Sequence, residues 1–283
     1  MFAPPALGVR IPVGRTGRSH LAPSVHRDAA VAQARRLTAL ADILGFDYVF
    51  SGGDAGLSSE TTLALLGAAR RLTVVAPISV TAWHPALLAR FGAVAARLSG
   101  GRFAVDLRSG PHPDDRRVQE FARIVRELWA GRAVDADGPH YRARGLRPHL
   151  RPEVPPEIVV SGGWRAAQPL AARAGDWFLA PEVGPDDVPA QVTALASASA
   201  PASTGRVVRL ATEVAVARLD PDALAGTLVA YARSGVGLVV LDLPDLEADL
   251  PVVAREVMPR LVLSDVDGAG DTPGIGINSR AAG

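Results

Sequence analysis

The chain contains neither cysteine nor lysine, and aromatic residues make up only 5% of it. The lack of cysteine excludes disulfides, thiol nucleophiles, cysteine-ligated zinc and iron–sulfur clusters. The lack of lysine excludes Schiff-base catalysis and a P-loop lysine. No apolar run approaches the roughly 20 residues that span a bilayer, and the first residues lack the basic and apolar regions of a secretory signal. We therefore expect a cytoplasmic protein without a membrane partner.

Neither sign of charge predominates, because 30 basic residues face 29 acidic ones and the formal net charge is +1. This balance argues against a nucleic-acid partner, since a surface that neutralises phosphates carries an excess of positive charge. The length of 283 residues suits two domains of about 150 residues or one α/β barrel of about 250 residues.

Short apolar runs alternate with longer segments of helical period. Most of the runs are continuously apolar, which is typical of parallel strands covered on both faces. Eight such units predict a single (β/α)8 TIM barrel. The alternative is a doubly wound open sheet, but its glycine-rich G-x-G-x-x-G turn is absent. The runs are LGVRIPV (7–13), DYVFSGG (47–53), LTVVAPISV (72–80), RFAVDLRSG (102–110), EIVVSGG (157–163), DWFLAPE (176–182), VVRLATEVAVA (207–217) and GLVVLDLP (237–244).

Helical periodicity and capping residues place a helix after each run. Gly45 predicts a C-cap, and Ser59 predicts an N-cap. A long excursion at 131–156 precedes the fifth barrel strand and is expected to cover the mouth or to pad an interface. We expect the barrel to occupy 1–263 and residues 264–283 to form a disordered tail. The predicted helices are 28–44, one beginning at 59, 84–98, 113–130, 165–174, 185–198, 221–234 and 246–261.

Reacting groups in such a barrel lie at the carboxyl ends of the strands and in the loops after them. Histidine spacing in this chain matches no metal-binding motif, so we expect no metal. The residues at the eight strand ends and in the loops after them are, in order, Arg15, Arg18 and His20; Asp54; Ser79, Thr81, Trp83 and His84; Asp106, Arg108, Ser109 and His112; Ser161, Gly162, Gly163, Trp164 and Arg165; Glu182; Glu213; and Asp242.

The segment VVSGGWRAA is the most informative of these strand ends. Its consecutive glycines let backbone N–H groups approach an anion, and the helix N-terminus that follows favours negative charge. A phosphate would compensate Arg165 at that terminus; the alternative is a tight turn with Arg165 in solvent. Asp106, flanked by apolar residues, needs a partner such as Arg108, Arg10 or a ligand donor, because an unpaired buried carboxylate is costly.

The chain resembles the bacterial-luciferase-like flavin monooxygenases over nearly its whole length to about Leu261. Within that family it looks most similar to the two-component alkanesulfonate monooxygenase branch. The segments that carry the resemblance are ALADILGFDYVF, RLTVVAPISVTAWHPALLARFGAVAARLSGGRFAVDLRSG, DGPHYRARG, PPEIVVSGGWRAAQPLAARAGDWFLAPE and YARSGVGLVVLDLPDLE.

The resemblance implies FMN, delivered as FMNH2 by a separate flavin reductase, and oxygenation of a small organic substrate through a C4a-(hydro)peroxyflavin. It places Ile78 and Ser79 where members have a bulged, often non-prolyl cis peptide beneath the flavin ring. Asp106 takes the position of a flavin-contacting asparagine. Tyr141 matches an aromatic residue that closes on the phosphate, and residues 161–165 match the phosphate turn.

The chain departs from the alkanesulfonate branch at several positions. Glu213 and Ala215 stand where the branch has arginine and histidine on the seventh strand. The mobile lid is missing, because only residues 220–236 separate the last two strands. Sulfonate oxygenation is therefore in doubt. The other positions at which this chain differs from residues typical of that branch are Leu57 or Ser58, Trp164, Arg165, Pro181 and Leu243.

The leading hypothesis is a flavin-dependent monooxygenase acting on a small or medium organic molecule. His20, Asp54, Arg108 and Glu213 are the candidate acid, base or anion-anchoring residues. Two alternatives are an F420-dependent oxidoreductase that transfers hydride and a non-catalytic partner subunit on the same barrel. A homodimer through the outer helices at 59–71 and 84–98 is expected, although burial of these helices against the barrel would equally explain their apolar stripe.

Overall fold

The computed structural model describes residues 4–13, 23–52, 59–108, 114–162, 167–181, 183–199 and 207–263. The predicted tail at 264–283 lies outside these residues. The elements, in order, are β1 (Ala6–Pro12), α1 (Pro23–Leu44), β2 (Tyr48–Gly52), α2 (Ser59–Ala68), β3 (Thr73–Ser79), α3 (Pro85–Ser99), β4 (Phe103–Arg108), α4 (Asp115–Trp129), β5 (Val134–Asp137), β6 (Arg142–Leu146), β7 (Glu157–Ser161), α5 (Ala167–Ala174), β8 (Trp177–Ala180), a 3-10 turn (Pro185–Asp187), α6 (Val188–Ser199), β9 (Arg209–Ala215), α7 (Pro221–Ser234), β10 (Leu238–Asp242), α8 (Leu246–Val252), a π segment (Val253–Val257) and α9 (Met258–Leu263).

Eight of these strands form a closed parallel barrel in the order β1-β10-β9-β8-β7-β4-β3-β2. This confirms the predicted (β/α)8 fold and all eight apolar runs. Strands β7 to β10 are the fifth to eighth barrel strands, because β5 and β6 form a separate two-stranded sheet. The middle of most of these strands is apolar because one side faces the barrel interior and the other faces the surrounding helices.

Local signals set several of the helix ends. Gly45 ends α1 with φ of 91°, a conformation that side-chain-bearing residues rarely adopt. His84 caps α3, since its Nδ1 accepts a hydrogen bond from the N–H of Ala86. Asp114 and Asp220 cap α4 and α7 in the same way. Helix α1 begins at Pro23, five residues before the predicted start.

A polar cluster lies at the amino ends of the barrel strands. Glu157 accepts hydrogen bonds from the Tyr48 hydroxyl and the Trp177 indole, both at 3.1 Å. Glu157 also pairs with Arg209, and the Arg209 guanidinium lies 3.8 Å from the centre of the Trp177 ring. Four residues from four strands therefore fill this end of the barrel, which leaves the opposite end for chemistry.

The excursion at 131–156 contains the β5–β6 hairpin, which the sequence analysis did not predict. The Glu120 carboxylate on α4 accepts hydrogen bonds from the N–H groups of His140 and Tyr141, both at 3.2 Å. The Tyr141 hydroxyl donates to the carbonyl of Val80 at 2.9 Å. Because Val80 follows β3, the hairpin reaches the carboxyl end of the barrel, as expected for a segment that covers the mouth.

Candidate functional site

Two groups of polar side chains lie on opposite sides of the barrel mouth. Strands β3, β4 and β7 are neighbours and form one arc of the barrel, and strands β9, β10 and β1 form the opposite arc. The first arc carries Ser79, Asp106 and Ser161. The second carries Arg10 and Glu213. The structure thus separates the predicted cofactor-binding residues from Glu213.

Asp106 is the centre of the β3–β4–β7 arc. Its side chain is only 2% exposed. One carboxylate oxygen accepts a hydrogen bond from the Ser161 hydroxyl at 2.6 Å, and the other accepts from Arg108 Nε at 2.9 Å. Of the three partners considered from the sequence, Arg108 is therefore the protein partner of Asp106. Both oxygens of the buried carboxylate accept a hydrogen bond, as a buried charge requires.

The turn after β7 begins with Gly162, whose φ is 145°. A side chain at that φ is strained, so the strand ends in bare backbone, as an anion cradle requires. The next described element along the chain is helix α5, which begins at Ala167. Gly163, Trp164 and Arg165, which complete the predicted phosphate turn, lie outside the described residues. The N–H of Gly162 itself donates to the carbonyl of Leu179 at 3.4 Å, and the phosphate-binding role of the turn stays a prediction.

Ile78 and Ser79 differ from the expectation of a bulged cis peptide. Among the residues that the structure describes, no peptide bond is cis. Strand β3 keeps its register with β4 up to Ser79, which lies opposite Arg108, and the next N–H, of Val80, still donates to the carbonyl of Arg108. This unbroken ladder leaves no bulge. The Ile78 side chain packs in the core, so only Ser79 presents its side chain at the mouth, where it bonds Thr81 at 2.8 Å.

Tyr141 extends the same arc beyond the strands. Its ring makes edge contacts with His84 and Phe121. Burial raises the pKa of the Tyr141 phenol, so the hydroxyl stays protonated and donates to Val80. The hairpin therefore brings an aromatic ring from the excursion to the strand end predicted to hold the flavin.

The β9–β10–β1 arc is built on a pair of charges that the sequence analysis did not predict. Arg10 donates to both carboxylate oxygens of Glu213, from Nε and from Nη2, the latter at 2.8 Å. From the sequence, Arg10 is expected only as a partner of Asp106. A signal was present, because Arg10 lies between the apolar residues Val9 and Ile11 of a strand and must point to the side opposite theirs; in the structure Val9 and Ile11 are fully buried and Arg10 points into the barrel.

A cavity of about 580 Å³ adjoins this second arc. It is lined by Arg10, Gly52 and Asp242 at the strand ends and by Leu37 and Leu246 from α1 and α8. The cavity opens beside the strand ends at the mouth and continues between two outer helices. Its mixed charged and apolar lining suits a small organic molecule.

Two of the four candidate catalytic residues, His20 and Asp54, lie outside the described residues. Arg108 and Glu213 are both at the mouth, on opposite arcs. No group of three or more potential metal ligands occurs in the described ranges, and none of the helices described there is long and apolar enough to cross a membrane. The cytoplasmic location stays a prediction.

Comparisons with known proteins identify the family of the chain. A family profile described as luciferase-like monooxygenase matches residues 8–239. The chain is 29% identical over 222 residues to an FMNH2-dependent dimethylsulfone monooxygenase from Pseudomonas putida, covering 69% of this chain and 61% of that protein. It is 31% identical over 189 residues to the Pseudomonas fluorescens protein of the same description, covering 58% of this chain and 52% of that protein. The chain thus spans less than two thirds of the length of these two relatives.

A third relative is matched over more of its length, and a solved structure shares the fold. The chain is 29% identical over 266 residues to the pyrimidine monooxygenase RutA of Methylobacterium radiotolerans, covering 81% of this chain and 68% of that protein. The structure of a riboflavin lyase, RcaE, with modified FMN and riboflavin superposes with a TM-score of 0.75 at 16% identity, over 96% of this chain and 94% of that one. The profile match covers most of the sequence, and the chain belongs to the luciferase-like monooxygenase family.

Proposed function

We propose that the protein is a flavin-dependent monooxygenase that uses FMNH2 from a separate flavin reductase and oxygenates a small or medium organic molecule. The observation that carries the proposal is family membership over residues 8–239 together with three monooxygenase relatives, two of them described as FMNH2-dependent. The arrangement of the mouth supports it, because Ser79, Asp106 and Ser161, three of the residues matched to flavin or phosphate contacts, come from three adjacent strands.

In this proposal the β3–β4–β7 arc holds the cofactor. Gly162 and the turn after it take the phosphate at the start of α5. Tyr141 covers that end of the flavin, and Asp106 and Ser161 offer polar atoms to the ring. Bound reduced FMN supplies the activation of O2, and the protein contributes orientation and exclusion of water.

The acid, base and anion-anchoring roles assigned to His20, Asp54, Arg108 and Glu213 remain proposals. Arg108 lies on the cofactor side, where it pairs with Asp106 at 2.9 Å. Glu213 lies on the opposite side and is engaged by Arg10. The alkanesulfonate branch likewise stays a prediction, since the relatives described above act by name on a sulfone and on pyrimidine.

Coenzyme F420 is the alternative cofactor. The chain is 32% identical to an F420-dependent glucose-6-phosphate dehydrogenase from Beutenbergia cavernae, over 50% of this chain and 50% of that protein. On this alternative the protein transfers hydride and consumes no oxygen. The same barrel arc would hold either cofactor.

Cofactor binding tests the proposal. Purified protein is titrated anaerobically with FMNH2 and, separately, with FMN, riboflavin and F420, using fluorescence and calorimetry. We expect FMN to bind more tightly than riboflavin, because only FMN carries a phosphate for the Gly162 turn. Oxygen uptake on adding FMNH2 and substrate supports the monooxygenase, and tight F420 binding without oxygen uptake supports the alternative. Affinity for none of these cofactors refutes both.

A pair of tyrosine variants separates a cofactor contact from general loss of packing. In both tyrosines the hydroxyl donates to a backbone carbonyl, at 2.9 Å from Tyr141 to Val80 and at 2.6 Å from Tyr231 to Val183. Only Tyr141 lies on the proposed cofactor side. We expect Tyr141→Phe to weaken FMN binding about fivefold, because the ring loses the one net hydrogen bond that holds it in place at the cofactor side, and Tyr231→Phe to leave FMN binding unchanged.

We also propose a homodimer through α2 and α3. Packing against the barrel buries Leu88 and Ala95 of α3 but leaves Leu87, Val94 and Leu98 exposed by 60%, 37% and 71%. These three lie seven and four residues apart, so they form one apolar face of the helix. Burial against the barrel therefore does not explain the whole stripe, and an exposed apolar face is typical of a subunit interface.

The mass in solution tests this dimer. Light scattering should give about twice the chain mass of 29.4 kDa. Leu98→Glu should give the monomer, while Val207→Glu, at another exposed apolar residue, should leave the dimer intact. A monomeric wild-type protein refutes the proposal.

A further inference from the structure

Glu213 holds the guanidinium of Arg10 in one orientation. Its guanidinium carries five N–H donors, and Glu213 takes two of them with a two-point contact. In the described part of the chain, no other side chain bonds this guanidinium. The remaining donors belong to a side chain that also lines the 580 Å³ cavity. Arg10 is therefore the residue of the cavity lining that has hydrogen-bond donors left over from its contact with Glu213.

The charge of Arg10 is compensated where it stands. Burial lowers the pKa of Arg10, but the hydrogen bond and the charge of Glu213, with further contributions from Asp106 and Asp242, outweigh it and raise the pKa. Three carboxylates thus act on one guanidinium. The side chains of Arg10 and Glu213 are 20% and 28% exposed, so water screens this pair less than a surface pair.

A ligand at this site meets hydrogen-bond donors without a net positive charge. An anionic ligand would approach Arg10 against the repulsion of Glu213, and three further carboxylates, those of Asp242, Asp245 and Glu247, line the same cavity. An uncharged ligand with an oxygen acceptor meets no such repulsion and bonds the remaining N–H groups. The arrangement therefore discriminates ligands by charge.

We propose that Glu213 is a positioning residue that masks the charge of Arg10, so that the cavity selects uncharged substrates with a carbonyl or sulfonyl oxygen and rejects anions such as sulfonates. This inference rests on the proposed function and names its substrate class. Arg10 is the specificity-determining contact, and Glu213 acts through it. At the position where the alkanesulfonate branch has arginine, this chain has the opposite charge of Glu213. The guanidinium is supplied instead by Arg10 on β1.

Two ligands that differ in charge test the inference directly. Methyl phenyl sulfone and benzenesulfonate share a ring and sulfonyl oxygens, but only the second is an anion. Binding to wild-type protein is measured by ligand-observed NMR and calorimetry, without flavin and again with FMN. We expect the sulfone to bind at least tenfold more tightly than the sulfonate. Equal affinity, a preference for the sulfonate, or no binding of either ligand overturns the inference without any variant.

Glu213→Gln removes the masking charge but preserves the shape of the side chain. We expect the affinity for benzenesulfonate to rise at least tenfold and that for the sulfone to change less than threefold. The matched control is Glu127→Gln, because Glu127 makes the same two-point contact with Arg132 on the exposed surface of α4. An equal gain in the control, or no gain in Glu213→Gln, overturns the inference.

Arg10→Met and Glu213→Asp complete the set. Arg10→Met should lower sulfone affinity at least tenfold, and Glu213→Asp, which keeps the charge, should retain the preference for the sulfone. The opposite result in either variant overturns the inference. FMN titration of the same preparations keeps the two proposals separate: wild-type protein that discriminates the ligands but binds no flavin refutes the proposed function and supports the masking.

Discussion

Asp106→Asn tests whether the buried carboxylate of the cofactor arc is held by its charge. Asparagine has nearly the same shape, and its oxygen can still accept the hydrogen bond from Ser161. Its amide group, however, replaces the oxygen that accepts from Arg108 Nε at 2.9 Å. Two donors then face each other, so one charge-assisted hydrogen bond is lost.

The expected cost follows from the exposure of the two partners. A hydrogen bond to a charged group contributes about 1.5–3 kcal/mol. The Asp106 side chain is 2% exposed, but that of Arg108 is 30% exposed and regains water when the bond is lost. We therefore expect a loss of about 2 kcal/mol in the free energy of unfolding, which at about 2–4 °C per kcal/mol lowers Tm by roughly 4–8 °C. Asp106→Ala also removes the acceptor of Ser161 and should cost about 4 kcal/mol.

Urea denaturation and thermal melting followed by circular dichroism measure this cost. The control is Asp242→Asn, an exposed carboxylate of the opposite arc, which should change stability by less than about 0.5 kcal/mol. Flavin titration adds a second readout: the resemblance places a flavin-contacting asparagine at this position, so Asp106→Asn should retain FMN affinity within about threefold. An Asp106→Asn protein as stable as wild type would show that the charge of Asp106 is not needed for folding and would refute the reasoning.

Two further predictions concern the framework of the barrel. Burial and the neighbouring charge of Glu157 raise the pKa of Tyr48. The folding stability that this shift contributes is therefore fully present below the unfolded pKa of about 10, and above that pH the free energy of unfolding falls by up to about 1.4 kcal/mol per pH unit. Denaturation curves from pH 8 to 11.5 should show this fall in the wild type but not in Tyr48→Phe, and parallel pH profiles of the two proteins would contradict the prediction. Gly92→Ala in α3 should destabilise by about 1–3 kcal/mol because the new Cβ would lie 2.7 Å from the Trp129 ring. Gly67→Ala in α2, where a Cβ meets nothing within 4 Å, should instead stabilise by about 0.5–1 kcal/mol, and similar effects at both glycines would show that helix propensity alone decides.

Much of the candidate site could be predicted from position along the chain. In a parallel barrel every strand delivers its carboxyl end to the same mouth, so a residue at the end of an apolar run is placed there whatever the loops do. Asp106, Ser161 and Glu213 are at the mouth for this reason. Arg108 was one of three partners that the sequence left open for Asp106. The sequence could not choose among them, because side-chain geometry decides between neighbours that are all within reach.

The hairpin within 131–156 was missed although a local signal was present. Asp137 and Gly138 form a dipeptide typical of hairpin turns, but the flanking strands are short and polar and carry little apolar alternation. Their positions depend instead on the Glu120 carboxylate, which binds two N–H groups of the loop. The contact of Tyr141 with the end of β3 followed only from that tertiary anchor.

The sequence by itself determined the barrel and its eight strands, because apolar runs and helical periods are local patterns with one closed solution. The tertiary structure alone decided which charges meet. Arg10 and Glu213 are 203 residues apart, and their pairing exists because closure brings β1 within two strands of β9. A charge is local in sequence, but its compensation depends on distance in space, and that distance is fixed only when the barrel closes.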